Sequence, residues 1–204
     1  MSRSILMVCN GKTIAQVISE YSAVASNNTW VQRILHMQPK HVLELGTGRG
    51  TTGALIMSVL PPTSMFTTIN YSYPENEKYG ELLQPWDQDK RLRRIIGDTT
   101  DPATLDKVEG GVDLLFIDTI HDAYVADVEL YLWQRKLADG AIVIVDDLNH
   151  KDMMKFWDLI PYEKVGDATS QGIFRYNASE PYSIRITDKS ASDYKQRRIY
   201  IDRP

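Results

Sequence analysis

The chain has 204 residues, a formal net charge of −4, four histidines and one cysteine. That length allows one domain with a sizeable core, and the acidic balance gives no reason to expect nucleic acid as the main partner. Cys9 cannot form an internal disulfide, which fits a cytoplasmic setting, and the apolar run Ile5 to Cys9 is too short for a secretory core or a membrane span.

In chain order, Thr13 to Tyr21 and Thr29 to Met37 have helical spacing, and Pro39 stops the second. His41 to Gly53 reads HVLELGTGRGTTG, a short strand that runs into Gly46, Gly48 and Gly50 and then a helix over Thr51 to Leu60. Such a turn lets the backbone approach a nucleotide, with unpaired N–H groups of the helix aimed at its charged part. Pro61-Pro62 breaks the helix. Met65 to Asn70 predicts a strand, Tyr71 to Pro74 a loop and Glu75 to Arg93 an irregular helical region interrupted at Pro85. Arg94 to Gly97 reads as a third strand, and Asp101 to Val108 as a brief helix with Pro102 in its first turn.

Val112 to Asp118 is a nearly continuous apolar strand, as burial on both faces requires. A helix over Tyr124 to Leu137, closed by Asp139-Gly140, leads to the apolar strand Ala141 to Val145 and the pair Asp146-Asp147. Asp152 to Ile160 predicts a helix. Tyr162 to Val165 and Gly172 to Tyr176 predict two strands whose short connection requires antiparallel pairing. Alternating strands and helices give an α/β, Rossmann-like doubly wound sheet. The organisation expected is a single domain over 1–204, with N-terminal helices over 1–40, a core over 41–176 and a polar tail over 177–204. The tail can be a hairpin, a partner-binding arm or poorly ordered chain.

Four blocks stand in order: Glu44-Leu-Gly-Thr-Gly-Arg-Gly50, Gly97-Asp98, Phe116-Ile-Asp-Thr-Ile-His121 and Leu137-Ala-Asp-Gly-Ala-Ile-Val-Ile-Val-Asp-Asp147. With these the chain resembles the class I S-adenosylmethionine-dependent methyltransferases. Within them it is most similar to the small metal-assisted O-methyltransferases and the cephalosporin-hydroxylase-like group. The resemblance implies a seven-stranded sheet, mostly parallel with an antiparallel C-terminal strand, and S-adenosylmethionine as cofactor. It sets Glu44, Gly46, Thr47, Gly48 and Gly50 around the methionine and ribose, Asp98 near the adenine amino group, and Asp118 at the same edge. It departs at Asn70, where the family carries an acid for the ribose hydroxyls; an amide accepts there with one oxygen and otherwise donates.

Asp118, Asp146 and Asp147 end two neighbouring predicted strands, and three converging carboxylates repel unless a proton or cation intervenes. A hard divalent ion, Mg²⁺ by default, resolves this, as the resemblance also implies; capping of the next helix is the plainer role for the acid pair. His121, three residues past Asp118, fits a base that takes a hydroxyl proton during methyl transfer, or a loop histidine bonded to Asp118 or Asp122. His150 is placed to support the acid pair, and His36 and His41 read as structural. Tyr71, Tyr73, Tyr79 and Trp86 can wall an acceptor pocket or belong to the core.

The function expected is methyl transfer to a hydroxyl of a small molecule with metal assistance. A dimer through the N-terminal helices or tail is compatible with this, and no membrane partner is expected. The alternatives are a non-catalytic binding protein of the same fold and a nicotinamide-dependent oxidoreductase. The latter reads Gly48-Arg-Gly50-Thr-Thr-Gly53 as its fingerprint but lacks the ribose acid at Asn70.

Overall fold

The computed structural model describes residues 29–72, 80–150, 152–166 and 170–186. The predicted helix at Thr13 to Tyr21, the aromatics Tyr73 and Tyr79, and the tail beyond 186 lie outside them. Helix α1 (Thr29–Met37) leads into β1 (His41–Leu45), α2 (Thr51–Val59) and β2 (Met65–Asn70). A 3-10 turn (Glu81–Trp86) follows, then β3 (Leu92–Ile96), α3 (Pro102–Leu105), β4 (Val112–Ile117) and α4 (Ala123–Trp133). The chain continues through a second 3-10 turn (Gln134–Lys136), β5 (Leu137–Val145), α5 (Met153–Leu159), β6 (Glu163–Lys164) and β7 (Gly172–Arg175).

The sheet has seven strands in the order β3-β2-β1-β4-β5-β7-β6. β3, β2, β1, β4 and β5 pair in parallel, and β7 pairs antiparallel with both β5 and β6. The predicted antiparallel end is therefore present. Alternating side chains feed two cores, one on each face. Val42, Phe66, Leu114, Phe116, Ile142 and Ile144 pack on one side with α1 and α2 residues. Leu43, Leu45, Leu115, Ile117, Val143 and Val145 pack on the other with α4 and α5. Strand order reverses between β1 and β4, so their C-terminal ends open a crevice in the sheet edge, the usual ligand position in such folds.

Several boundaries differ from the sequence reading. Leu92 and Arg93 belong to β3, not to a preceding helical region, because their backbone pairs with Phe66 and Thr67 of β2. The helix of α4 stops at Trp133, and Asp139-Gly140 lies inside β5 instead of closing the helix; Gly140 N donates to Tyr176 O at 3.1 Å. The chain after β7 carries neither helix nor strand through residue 186, yet it is anchored. Asp127, buried on α4, accepts hydrogen bonds from Tyr182 Oη (2.5 Å), Arg185 N (2.9 Å) and Ile186 N (2.7 Å). Among the described residues no helix is long and apolar enough to cross a membrane.

Candidate active site

β1 ends in a turn that depends on glycine. Gly46 has φ +100°, and a Cβ there would sit 1.8 Å from the carbonyl oxygen of Asp118. Gly48 has φ +47° with no atom within 4 Å of a Cβ position, so open space lies against the turn. Gly50, at φ 87°, is the residue from which α2 starts. The turn is fastened to the sheet: Gly46 N donates to Ile69 O, and Asp118 N to Leu45 O, both at 2.9 Å.

A cavity of about 320 Å³ opens at this edge. Gly46, Gly48, Asn70, Asp98 and Asp118, all cofactor-binding candidates from the sequence, border it. Asn70 donates from Nδ2 to Ser72 O at 2.6 Å and so pins the loop after β2, a bond that a carboxylate could not make. Asp98 uses Oδ1 to accept from Thr100 N (2.9 Å) and Thr100 Oγ1 (2.7 Å), which fixes the turn after β3.

Glu44, Thr47 and Gly50 stand apart from the cavity wall. Glu44 has the parity of Val42 and faces the α1–α2 side, fully buried. Thr68 Oγ1 donates to its Oε2, and Thr47 and Thr68 hydroxyls lie 2.7 Å apart. Burial pushes the Glu44 carboxyl well above the usual carboxylate range, against the Thr68 bond that lowers it, with Asp118 adding repulsion. Glu44 thus supports the turn from beneath through Thr68 and Thr47.

Asp118 is a mostly buried carboxyl whose proton affinity is raised by burial and by Asp146 and Asp147, and lowered by His121. His121 Nε2 lies 3.2 Å from Asp118 Oδ1 and 3.5 Å from Asp147 Oδ2. Its proton affinity is raised, chiefly by the Asp118 hydrogen bond. His121 and Asp147 both take left-handed backbone, φ 51° each, which turns the two loops toward one another. The imidazole therefore sits between two of the three carboxylates, at the rim beyond the cavity residues Thr119 and Ile120. The His150 ring meets it edge-on at 5.5 Å between centroids.

A family model described as a methyltransferase domain matches residues 43–148, just over half of the chain. The chain belongs to the methyltransferase domain family. Its sheet order is that of the class I, S-adenosylmethionine-dependent members. A Staphylococcus aureus protein, provisionally described as a caffeoyl-CoA O-methyltransferase, is 17% identical with a TM-score of 0.61, over 81% of this chain and 93% of that one. A Bacillus cereus O-methyltransferase solved with S-adenosylhomocysteine is 14% identical (TM-score 0.56), over 78% and 89% of the two chains. A Geobacter sulfurreducens methyltransferase is 18% identical (TM-score 0.55), over 80% and 89%. At these identities the likeness is one of fold.

In this methyltransferase domain the acid edge is engaged by protein side chains. Among the described residues no group of three or more His, Cys, Asp or Glu side chains is disposed to hold a metal ion. His121 engages Asp118 and Asp147, while Asp146 Oδ1 accepts from Gln171 Nε2 at 2.8 Å. The charge repulsion foreseen for the three acids is real, but an imidazole and an amide answer it. The plainer role for the acid pair, capping the next helix, is not taken up by Asp146 or Asp147 either: α5 starts after Asp152 with no side-chain cap hydrogen bond.

Of the other expected residues, His41 Nε2 lies 3.1 Å from Thr67 Oγ1, which makes it structural, and His36 is exposed at the end of α1. Trp86 is buried in the α2-side core, whereas Tyr71 is exposed and borders the cavity. The sequence reading missed Thr99, Thr119 and Glu129, which also border it. Their signal is weak: two threonines just past strand ends, and one acid at a core position of an otherwise apolar helix.

Proposed function

We propose that the protein transfers a methyl group from S-adenosylmethionine to a hydroxyl oxygen of a small molecule, with His121 as the base. The observation that carries the reading is the contact of His121 with Asp118 at the rim of the glycine-turn cavity. When bound, S-adenosylmethionine supplies an electrophilic methyl on a sulfonium sulfur. The open space at Gly48 and the polar groups of Asn70, Asp98 and Asp118 fit its extended, mixed-polarity shape.

The residues of this chain then have separate tasks. With Nε2–H donated to the Asp118 carboxylate, Nδ1 is the ring nitrogen that takes the acceptor's proton as its oxygen attacks. Asp118 and Asp147 stabilise the imidazolium that results. Tyr71 and Ile120, both exposed at the cavity, offer apolar surface to the acceptor. No step is assigned to a cation.

Calorimetric titration of S-adenosylhomocysteine, followed by a screen of hydroxylated acceptors with methyl-labelled cofactor, tests the reading. Binding with label transfer is expected. Binding without transfer to any acceptor favours the non-catalytic alternative, for which the loop-pinning role of Asn70 is the supporting observation. Absence of binding overturns the proposal.

A further inference from the structure

One polar wall of the cavity has no part in the proton transfer. Glu129, in the middle of α4, is fully buried and borders the cavity. Thr99, just past β3, donates its hydroxyl to Glu129 Oε1, and Thr119 Oγ1, just past β4, lies 3.0 Å from Oε2. One helical turn on, Trp133 Nε1 donates to Thr99 O at 2.8 Å and fixes that loop against α4. A buried acid that only filled space would be replaceable by an apolar residue at little cost. This one instead bridges two hydroxyls that themselves border the cavity.

We infer that Glu129 is a positioning residue for the purine end of S-adenosylmethionine, acting through the hydroxyls of Thr99 and Thr119. The inference rests on the proposed function, which sets the adenine beside Asp98. A neutral carboxyl has one O–H and one carbonyl oxygen. It donates to one threonine oxygen and accepts from the other, so the first threonine keeps its own O–H for a ring nitrogen in the cavity. An ionised Glu129 only accepts; both hydroxyls then turn to it and none remains for the ligand. Burial pushes the Glu129 carboxyl up to about 8, the two threonine bonds oppose this, and Asp98 and Asp122 add to it. Asp98 faces it from the loop after β3, and Asp122 from the start of α4. At neutral pH the donor-rich state is therefore the populated one.

The test is calorimetric titration of 5′-methylthioadenosine, whose own charge is constant over the range, and of S-adenosylhomocysteine, at pH 7 and pH 9. The wild-type protein should lose about tenfold in methylthioadenosine affinity between the two, because ionisation of a group near pH 8 removes the binding form. Glu129→Gln, which keeps a donor and an acceptor but cannot ionise, should bind within about twofold at both pH values. His121→Asn should retain the wild-type slope, which separates Glu129 from the other titrating group at this edge. A flat wild-type profile, an equal slope in Glu129→Gln, or loss of the slope in His121→Asn overturns the inference. The wild-type and His121→Asn profiles decide it alone if Glu129→Gln does not fold. Binding of S-adenosylhomocysteine without the slope sinks only this inference; no binding at either pH sinks the functional reading and this with it.

Discussion

Gly46 passes so close to Asp118 that a Cβ on residue 46 would lie 1.8 Å from the Asp118 carbonyl oxygen. This contact ties the turn after β1 to the strand end that carries the candidate catalytic edge. Gly46→Ala should therefore destabilise the fold by about 2 kcal/mol or more and abolish S-adenosylhomocysteine binding, since backbone cannot move aside cheaply. Gly48→Ala is the contrasting case: with no atom within 4 Å of its Cβ position, it should cost only about 1 kcal/mol of left-handed strain. It should still weaken cofactor binding, because the methyl group would occupy the space against the turn. Thermal melts and titration of both variants check this; equal behaviour would refute the close-contact argument.

His121 should be needed for turnover and not for cofactor affinity. His121→Asn keeps a residue tolerant of left-handed backbone and should lower kcat by a factor of about 10² or more, with the S-adenosylhomocysteine Kd nearly unchanged. The pH dependence follows from the raised proton affinity of the ring. A base must be unprotonated, so wild-type kcat should climb with pH through an inflection above the ordinary histidine value, and the variant should lack that inflection. The stability sign is opposite. Protonated His121 bound to Asp118 stabilises the fold most below the unfolded-state value, and that contribution fades as pH rises through the folded-state value. A rate that falls as pH rises through the inflection would exclude His121 as the base.

Chelation gives a separate check. With His121 against Asp118 Oδ1 and Asp147 Oδ2, and Gln171 on Asp146 Oδ1, excess EDTA should leave both kcat and the melting temperature unchanged. Added Mg²⁺, Mn²⁺ or Ca²⁺ should not raise the melting temperature. A clear rise with any of them, lost in Asp146→Asn, would restore the cation to this edge.

The segment after β7 should contribute to stability through α4. Tyr182→Phe removes the 2.5 Å bond to buried Asp127, while two backbone N–H donors remain. The expected loss is about 1.5–3 kcal/mol, the range for a hydrogen bond to a charged group, read by denaturant unfolding. An unchanged midpoint would mean that the segment merely rests on the helix.

The amino-acid sequence by itself determined the α/β architecture, the glycine turn, the antiparallel end of the sheet and five of the cavity residues: Gly46, Gly48, Asn70, Asp98 and Asp118. These are local signals, because apolar runs specify buried strands and glycine spacing specifies a turn without reference to distant chain. The end of α4 was less legible. Asp139-Gly140 has the chemistry of a helix stop, but the pairing of Leu137 with Val112 of β4 and the bond of Gly140 N to Tyr176 O, just past β7, draw it into β5. Only the tertiary structure decided which acids share charge and with whom. Asp118, Asp146 and Asp147 reach one edge as expected. The bond of His121 to Asp118 is one that its spacing allowed, whereas the contact of His121 with Asp147 and that of Gln171, just before the neighbouring strand β7, with Asp146 are partners that no spacing predicts. The same holds for Glu129, which sequence distance separates from Thr99 and which becomes part of the cavity only when α4 packs against the ends of β3 and β4. Periodicity fixes which face a residue takes; folding alone fixes what it meets there.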